Sequence, residues 1–305
     1  MLDQNQRALE QYGVGLHAAP NNAELLIHSA FAEKDLGRWD SALAHFRKAQ
    51  ILNPRVASTA VGLAWTLVWL RQYPEALQAA HRGLAIDPAN LHLVRTKASV
   101  YLAQGDLAGA QAVLRSVPKQ LASTDLVAHM AAYYDLYWVL NEEQQLLLLQ
   151  LSPSAFGDDR FAWGIVLAQT YALRGDQAKA RAYADSARVA VEAQLRDAPH
   201  DPQRRVLHGL LLAYLGRKTE AVREGEQGLA LLPVTKNSYN GPYYQHQLVR
   251  IYLLVNEIDK ALDRLEPLLK IPYYLSPGWL RIDPTFAPLR GHARFQRLLA
   301  VPTTD

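Results

Sequence analysis

The sequence predicts an all-α protein, a right-handed solenoid of antiparallel helix pairs ending in a C-terminal helical cap. Three observations predict it. Alanine and leucine dominate while β-branched residues are sparse, which favours helices over strands. Small residues recur at a fixed interval, and glycine or proline follows each helical segment. With 305 residues, half of them hydrophobic, the chain is also too long for one ordinary compact core unless it is repetitive.

The interval between equivalent small residues is 34 positions. The first set is Ala30, Ala64, Ala98 and Ala132. Twelve residues after the first three come Ala42, Ala76 and Ala110. Small side chains at fixed points on two helices let the helices approach closely, and larger side chains would overpack the contact. Each interval therefore predicts one pair of helices.

Turn signals separate the two helices of a pair and end the second. The predicted left-handed residues at the turn are Gly37, Gly105, Gly175 and Gly216. The residues predicted to stop the second helix are Pro54, Pro88 and Pro233. Pro74 fits the first turn of a helix, where a missing N–H costs little.

The predicted units follow in chain order. Residues 1–22 form a half repeat consisting of a second helix only, and residues 23–124 form three regular repeats. Residues 125–160 form a degenerate repeat, because larger residues replace the expected alanine and the turn glycine. Residues 161–275 form three repeats with an extended second helix and an inserted loop, VTKNSYNGP. Residues 276–305 form the cap.

The stretch QYGVGLHAAPNN near the start fits a loose dinucleotide-binding pattern, G-x-G-x-x-A. Such a turn requires a preceding strand, and it must open a helix so that N–H groups face the pyrophosphate. Gly13 and Gly15 instead precede Pro20 without a strand before them. We therefore interpret the stretch as the end of a helix and reject nucleotide binding there.

The repeat resembles the tetratricopeptide repeat. The similarity rests on Ala42-x3-Phe46 followed by Pro54, and on the pairs Ala98-x2-Tyr101 and Ala168-x2-Tyr171. The resemblance implies a superhelix in which the first helix of each repeat lines a concave groove. It also implies that this groove binds a protein or a peptide.

The C-terminal segment LSPGWLRIDPTFAPLRGHARFQRLLAVP departs from the repeat and supplies apolar anchors for a cap. These anchors are Trp279, Leu280, Phe286, Leu289, Phe295, Leu298 and Leu299. The segment also resembles the end of large bacterial multidomain proteins that carry a serine/threonine kinase, a nucleotide cyclase or a winged-helix regulator. That resemblance implies a regulatory or sensory region of a bacterial signalling protein.

The sequence contains no pattern that requires catalysis, so we predict a protein that is not an enzyme and has no cofactor. The absence of cysteine excludes thiolate metal sites and a Cys nucleophile, and no histidine pair has metal-ligand spacing. A net charge of +3 with dispersed charges argues against nucleic-acid binding. No apolar run is long enough for membrane insertion. We predict a cytoplasmic location, or a periplasmic one if the chain belongs to a membrane-spanning receptor kinase.

Aromatic and basic residues mark the predicted groove. Carrying the family register over to this chain places two pairs on the groove side at i, i+4 spacing, Trp65 with Trp69 and Tyr133 with Tyr137. The predicted partner-binding residues are Phe31, Trp65, Trp69, Arg95, His129, Tyr133, Tyr137, His246 and Arg250. With His92, the histidines and arginines also suggest a basic edge. The alternative is that these rings pack within the superhelix or beneath the chain's own extra segments.

The leading hypothesis is a non-catalytic scaffold that binds a protein or peptide in the groove, because Trp and Tyr dominate interface energies. The alternative is a domain that senses a small molecule and controls an attached or partner effector. A second helix without its first also predicts one of two arrangements: the chain starts inside a longer array, or it self-associates through the incomplete N-terminal repeat.

Overall fold

A computed structural model describes residues 2–133 and 135–300 of the chain. Within these ranges the protein is all-α and contains no strand. The helices are α1 (Leu2–Ala18), α2 (Ala23–Asp35), α3 (Trp39–Leu52), α4 (Ala57–Trp69), α5 (Tyr73–Ile86), α6 (Leu91–Ala103), α7 (Leu107–Arg115), α8 (Ser123–Ala132), α9 (Glu142–Gln150), α10 (Arg160–Leu173), α11 (Gln177–Asp197), α12 (Pro202–Tyr214), α13 (Lys218–Leu231), α14 (Asn240–Leu254), α15 (Ile258–Leu268), α16 (Pro277–Ile282) and α17 (Ala293–Leu299). Three short 3-10 helices span Leu136–Val139, Pro153–Phe156 and Pro284–Leu289.

Successive helices pack as pairs, beginning with α2 on α3 and ending with α14 on α15, while α1 packs on α2. The small residues of the repeat lie at these contacts. Ala30, Ala64 and Ala98 on the first helices are fully buried, as are Ala42 and Ala76 on the second helices. The predicted all-α solenoid of helix pairs is confirmed, whereas the exact boundaries of the repeats stay a prediction.

The turns between paired helices use a left-handed residue. Gly37, Gly105 and Gly216 have φ of 75°, 82° and 76°, a backbone region in which glycine avoids the steric cost of a Cβ. Two other turns use residues that carry a side chain. Arg71 has φ 60° and Asn256 has φ 59°.

Helix α8 is interrupted where the sequence predicts a continuous groove-lining helix. It ends at Ala132, Tyr133 has extended backbone angles, and Asp135 adopts a left-handed conformation with φ 57°. Tyr137 then lies in a 3-10 helix. The prediction that Tyr133 and Tyr137 share one helical face is therefore wrong. The break turns Tyr133 outward, with 48% of its surface exposed, and Tyr137 inward, with 5% exposed.

The superhelix closes on itself through α14 and the segment that follows α15. We call residues 269–279 the inner segment. The loop before α14 reaches the first repeat, where the Ser238 amide donates to the Asp35 carbonyl at 2.9 Å. The inner segment crosses the second and third repeats. There the Tyr273 amide donates to the Trp69 carbonyl at 3.2 Å, and the Ser276 hydroxyl donates to the Ala103 carbonyl at 2.5 Å.

A close contact between backbones fixes the end of the inner segment. A Cβ on Gly278 would lie 2.4 Å from the Ala103 carbonyl oxygen, so no larger residue fits there without a backbone shift. The side that the sequence predicts to be an open groove is thus covered by the chain itself over its middle repeats.

The C-terminal cap is helical as predicted, with α16, the 3-10 helix Pro284–Leu289 and α17. Its anchors Trp279, Phe286, Leu289 and Phe295 are each at most 1% exposed. The cap packs on the last repeat through α15 and α17, and also on α6 through α16. Residues 301–305 of the predicted cap lie outside the described residues.

Candidate functional site

Four of the predicted groove residues meet at the edge of the structure, together with a fifth. We call Trp65, His92, Arg95, His129 and Tyr133 the rim cluster. The Arg95 guanidinium lies 4.5 Å from the centre of the Trp65 ring and 6.0 Å from that of Tyr133. The His92 and His129 rings are 4.8 Å apart, and the His129 and Tyr133 rings are 4.5 Å apart. The cluster is a continuous layer of rings around one guanidinium.

Three consecutive first helices supply this layer. Trp65 comes from α4, His92 and Arg95 come from α6, and His129 and Tyr133 come from the end of α8. Neighbouring first helices of a solenoid lie side by side, so residues at equivalent repeat positions form a row. The i, i+4 spacing of His129 and Tyr133 keeps their rings together although α8 ends between them.

The two histidines of the rim cluster are neutral at pH 7. Burial, followed by the charges of Arg95 and His92, lowers the pKa of His129 to about 3. Burial and then Arg95 also lower the pKa of His92. Of the three residues of the expected basic edge, His92, Arg95 and His129, only Arg95 is a cation at pH 7. Within the described residues, the buried Nε2 atom of His129 has no hydrogen-bond partner.

A pocket of about 450 Å³ adjoins the rim cluster, and we call it the rim pocket. Its walls come from α6, α8, α10 and the 3-10 helix Pro153–Phe156. The lining residues are Leu91, Asp125, Ala128, His129, Ala132, Tyr133, Ala155, Phe156 and Ala162. Mostly apolar walls with two aromatic rings, one imidazole and the Asp125 carboxylate suit an apolar or aromatic side chain.

The other predicted groove residues do not join the rim cluster. Trp69 is fully buried, with its ring 5.3 Å from Trp39, 4.7 Å from Tyr239 and 5.1 Å from Tyr273. Trp65 is also 3% exposed, and its indole N–H donates to the Tyr239 hydroxyl at 3.1 Å. These tryptophans hold the inner segment and the loop before α14 in place.

His246 and Arg250 on α14 are buried as well. The Nδ1 atom of His246 lies 3.2 Å from the Tyr273 hydroxyl and 3.0 Å from that of Tyr274. Burial, followed by the charge of Arg250, lowers the pKa of His246 to about 3, so this ring is neutral. Its side chain is a hydrogen-bonding part of the interior in this conformation.

Arg250 belongs to a buried polar network around the left-handed residue Asp135. Its Nη1 lies 2.8 Å from the Asp135 carboxylate and donates to Gln247 at 2.9 Å. Its Nη2 donates to Gln169 and, at 3.4 Å, to the Tyr137 hydroxyl. Burial opposes the charge of Arg250, but Asp135 and then Tyr137 raise its pKa well above the ordinary value.

Phe31 lies apart from both groups. It is 45% exposed and packs edge-on against Phe46, with ring centres 5.3 Å apart. The nine predicted residues thus divide into Trp65, Arg95, His129 and Tyr133 in the rim cluster, four further residues that are buried elsewhere, and Phe31; within the rim cluster Trp65 and Arg95 are buried too. Trp69, Tyr137, His246 and Arg250 do not face an open groove, because they pack against the chain's own segments, as the alternative interpretation predicts.

The sequence pattern indicated His92 only as part of a basic edge, and it did not indicate Asp135 as a site residue. The repeat register places His92 beside Arg95, so the row of first helices could have found it. Asp135 gave no signal, since its partners Gln247 and Arg250 lie more than a hundred positions away in the sequence. Its role depends on the closure of the superhelix.

Neither a membrane span nor a metal centre is found in residues 2–133 and 135–300. None of the helices there is both long and apolar enough to cross a bilayer. No group of three or more His, Asp or Glu side chains in those ranges is placed to hold a metal ion.

Comparisons with known proteins identify the repeat. The tetratricopeptide repeat family matches residues 70–132 and residues 164–186. The Small glutamine-rich tetratricopeptide repeat-containing protein 2 of Mycosarcoma maydis is 29% identical over 83 residues, which are 27% of this chain and 24% of that protein. The matched part thus spans about a quarter of the relative's length.

Two solved structures show a distant likeness. MamA is 15% identical with a TM-score of 0.35, over 62% of this chain and 89% of that chain. PilW, a widely conserved type IV pilus biogenesis factor, is 19% identical with a TM-score of 0.41, over 75% of this chain and 86% of that chain. Neither likeness is close enough to bear on function. The family matches and the paired helices show that this chain carries tetratricopeptide repeats.

Proposed function

We propose that the protein is a non-catalytic scaffold that binds a protein or peptide at the rim cluster and the rim pocket. The observation that carries the proposal is the exposed edge of this layer of rings. Tyr133 is 48% exposed beside a pocket with largely apolar walls. Large aromatic side chains at such edges supply much of the binding energy of protein interfaces.

The chemistry of the rim cluster indicates the kind of partner. Tyr133 and Phe156 line the rim pocket and fit an aromatic or aliphatic side chain. Arg95 is buried beneath the layer, 4% exposed, and does not line the rim pocket. The proposed ligand is therefore a short segment with an apolar or aromatic anchor.

Further parts of the proposal rest on the sequence. The resemblance of the C-terminal segment supports a regulatory or sensory role in a bacterial signalling protein, with a cytoplasmic location. Helix α1, with Val14 69% exposed, supports self-association. A second candidate function, sensing of a small molecule, is supported by a cavity between α10, α11, α12, α14 and the cap.

Peptide selection tests the main proposal with ligands of any sequence. Peptides are selected from a random displayed library on the purified chain, and their affinity is measured by fluorescence anisotropy. Tyr133→Ala should weaken binding about tenfold or more, as expected of an interface hot spot. His92→Ala should weaken binding by a smaller factor, because its ring supports Tyr133 at 5.6 Å.

Tyr12 provides a matched control. Its ring stacks on His28 at 5.7 Å, so Tyr12→Ala also removes a tyrosine that contacts a histidine, but outside the rim cluster. This variant should bind selected peptides with unchanged affinity. Selected peptides that bind Tyr133→Ala and the parent equally well would show that the rim cluster is not the binding site.

A further inference from the structure

A second cavity lies away from the rim cluster. We call it the inner cavity. It has a volume of about 450 Å³ and is bounded by α10, α11, α12, α14 and the 3-10 helix of the cap. The lining residues are Tyr137, Gln169, Ala172, Leu173, Gln177, Arg181, Ala213, Tyr214, Gly216, Arg250, Leu253, Leu254, Pro284, Thr285 and Pro288. Cavities that bind small molecules are typically about 300–1,000 Å³.

The charged residues that line the inner cavity are of one sign. They are Arg181 and Arg250, and no carboxylate lines it. The ion pair between Arg250 and Asp135 lies in the wall between two cavities. Arg250 lines the inner cavity, whereas Asp135 lines a different cavity of about 350 Å³. Asp283, the other buried acid near Arg250, accepts hydrogen bonds from the Trp279 indole and the Thr285 amide.

Arg181 adds a second positive charge. Its side chain is exposed, and no ion pair joins it to any residue in the described ranges. The floor adds neutral polar groups, namely the Tyr137 and Tyr214 hydroxyls and the Gln169 amide. Guanidinium groups with phenol hydroxyls form a donor set that suits a carboxylate.

Exposed apolar side chains also line the inner cavity. Leu173 is 36% exposed and Leu254 is 44% exposed, and both line it. Pro284 and Pro288 of the cap form the opposite wall. Exposed large apolar side chains that converge on one opening mark a surface that a ligand can cover.

We propose that the inner cavity binds a small organic anion, a carboxylate attached to an apolar body. The carboxylate is held by Arg181, the exposed cation of the lining. The apolar body covers Leu173, Leu254 and the two prolines. This inference rests on the second candidate function, small-molecule sensing, and names its ligand class. It is independent of peptide binding, since no residue of the rim cluster lines the inner cavity.

Calorimetric titration with three probes of equal chain length tests the proposal. Octanoate, 1-octanol and octylamine each have eight carbons, with apolar bodies of nearly equal length and different head groups. Octanoate should bind with saturable heat about tenfold more tightly than the other two, because only its head group is an anion. Arg181→Gln should weaken octanoate binding about fivefold, as expected for a partly exposed charge pair, without changing the weak binding of 1-octanol.

Two matched controls complete the experiment. Arg82→Gln removes another exposed arginine, on α5, and Leu146→Ala removes another leucine, which is 45% exposed on α9. Both variants should bind octanoate as the parent does, whereas Leu254→Ala should bind it more weakly. Thermal unfolding verifies that each variant is folded.

The result that overturns the proposal is octanoate binding that is absent, equal to that of 1-octanol, or weakened as much by Arg82→Gln as by Arg181→Gln. Tyr133→Ala should still bind octanoate. Peptide binding by the parent and by Tyr133→Ala tests the rim cluster, and octanoate titration tests the inner cavity. Because the two readouts are separate, either proposal can fail without the other.

Discussion

Lys34 is an ionisable residue that is buried where the superhelix closes. Its ammonium lies 4.1 Å from the centre of the Tyr239 ring and 5.3 Å from that of Phe31, and the residue is 2% exposed. Burial lowers its pKa to about 7, with Asp35 opposing the shift and Arg95 adding to it. The contact joins the first repeat to the loop before α14.

This shift predicts a pH-dependent stability. Between pH 7 and 10.5 the unfolded chain keeps the Lys34 proton that the folded chain has lost. The unfolded state therefore binds more protons in this window, and the Lys34 contribution to the free energy of unfolding rises with pH there. Below pH 7 both states are protonated, and the folded state carries the full cost of a buried charge.

Chemical denaturation of the parent and Lys34→Met at several pH values measures this effect. The parent should gain stability relative to the variant as pH rises through the window, by at most about 1.4 kcal/mol per pH unit. A stability difference that stays constant with pH would show that Lys34 titrates at its ordinary pKa in the folded chain.

At the scale of elements, the turn between α4 and α5 also binds the inner segment. Arg71 occupies the left-handed position that glycine takes in other turns. Its Nη2 donates to the carbonyls of Leu269, Ile271 and Leu275 at 2.9, 3.2 and 3.4 Å. The left-handed backbone costs about 1 kcal/mol for a residue with a Cβ, and the hydrogen bonds to the inner segment offset it.

Replacing Arg71 separates these two effects. Arg71→Gly relieves the backbone but removes charge-assisted hydrogen bonds worth about 1.5–3 kcal/mol, so the chain should lose about 1–2 kcal/mol of stability. Asn256→Gly changes the same turn position, at φ 59°, in a repeat without such a clamp. That control should be neutral or slightly stabilising, as measured by urea denaturation. Equal effects of the two substitutions would contradict the clamp.

The helices and turns were largely predictable, and the interruption of one helix was not. The 34-residue spacing predicts the helix pairs, because small residues must lie at each close contact. The glycine positions predict left-handed turns, and Gly37 and Gly105 have them. The break after Ala132 depends on Asp135 meeting Arg250 and Gln247 of the last repeat. A local pattern carries no information on that contact.

At the scale of the whole molecule, closure decides which of the predicted groove residues can contact a partner. The inner segment buries Tyr273, Tyr274 and Leu275 almost completely against the middle repeats. Trp69 and His246 contact these tyrosines and therefore stabilise the fold. The aromatic row was predictable from the repeat register, but its division into a buried part and an exposed rim follows from contacts between distant repeats.

The central claim is that a partner binds at the rim while the inner segment stays in place. Amide hydrogen exchange of the free chain and of the chain saturated with a selected peptide tests it most directly. We expect added protection in residues 91–101, 125–133 and 153–162, and unchanged exchange in residues 269–279. Protection or faster exchange confined to residues 269–279, with no change at the rim, would contradict it.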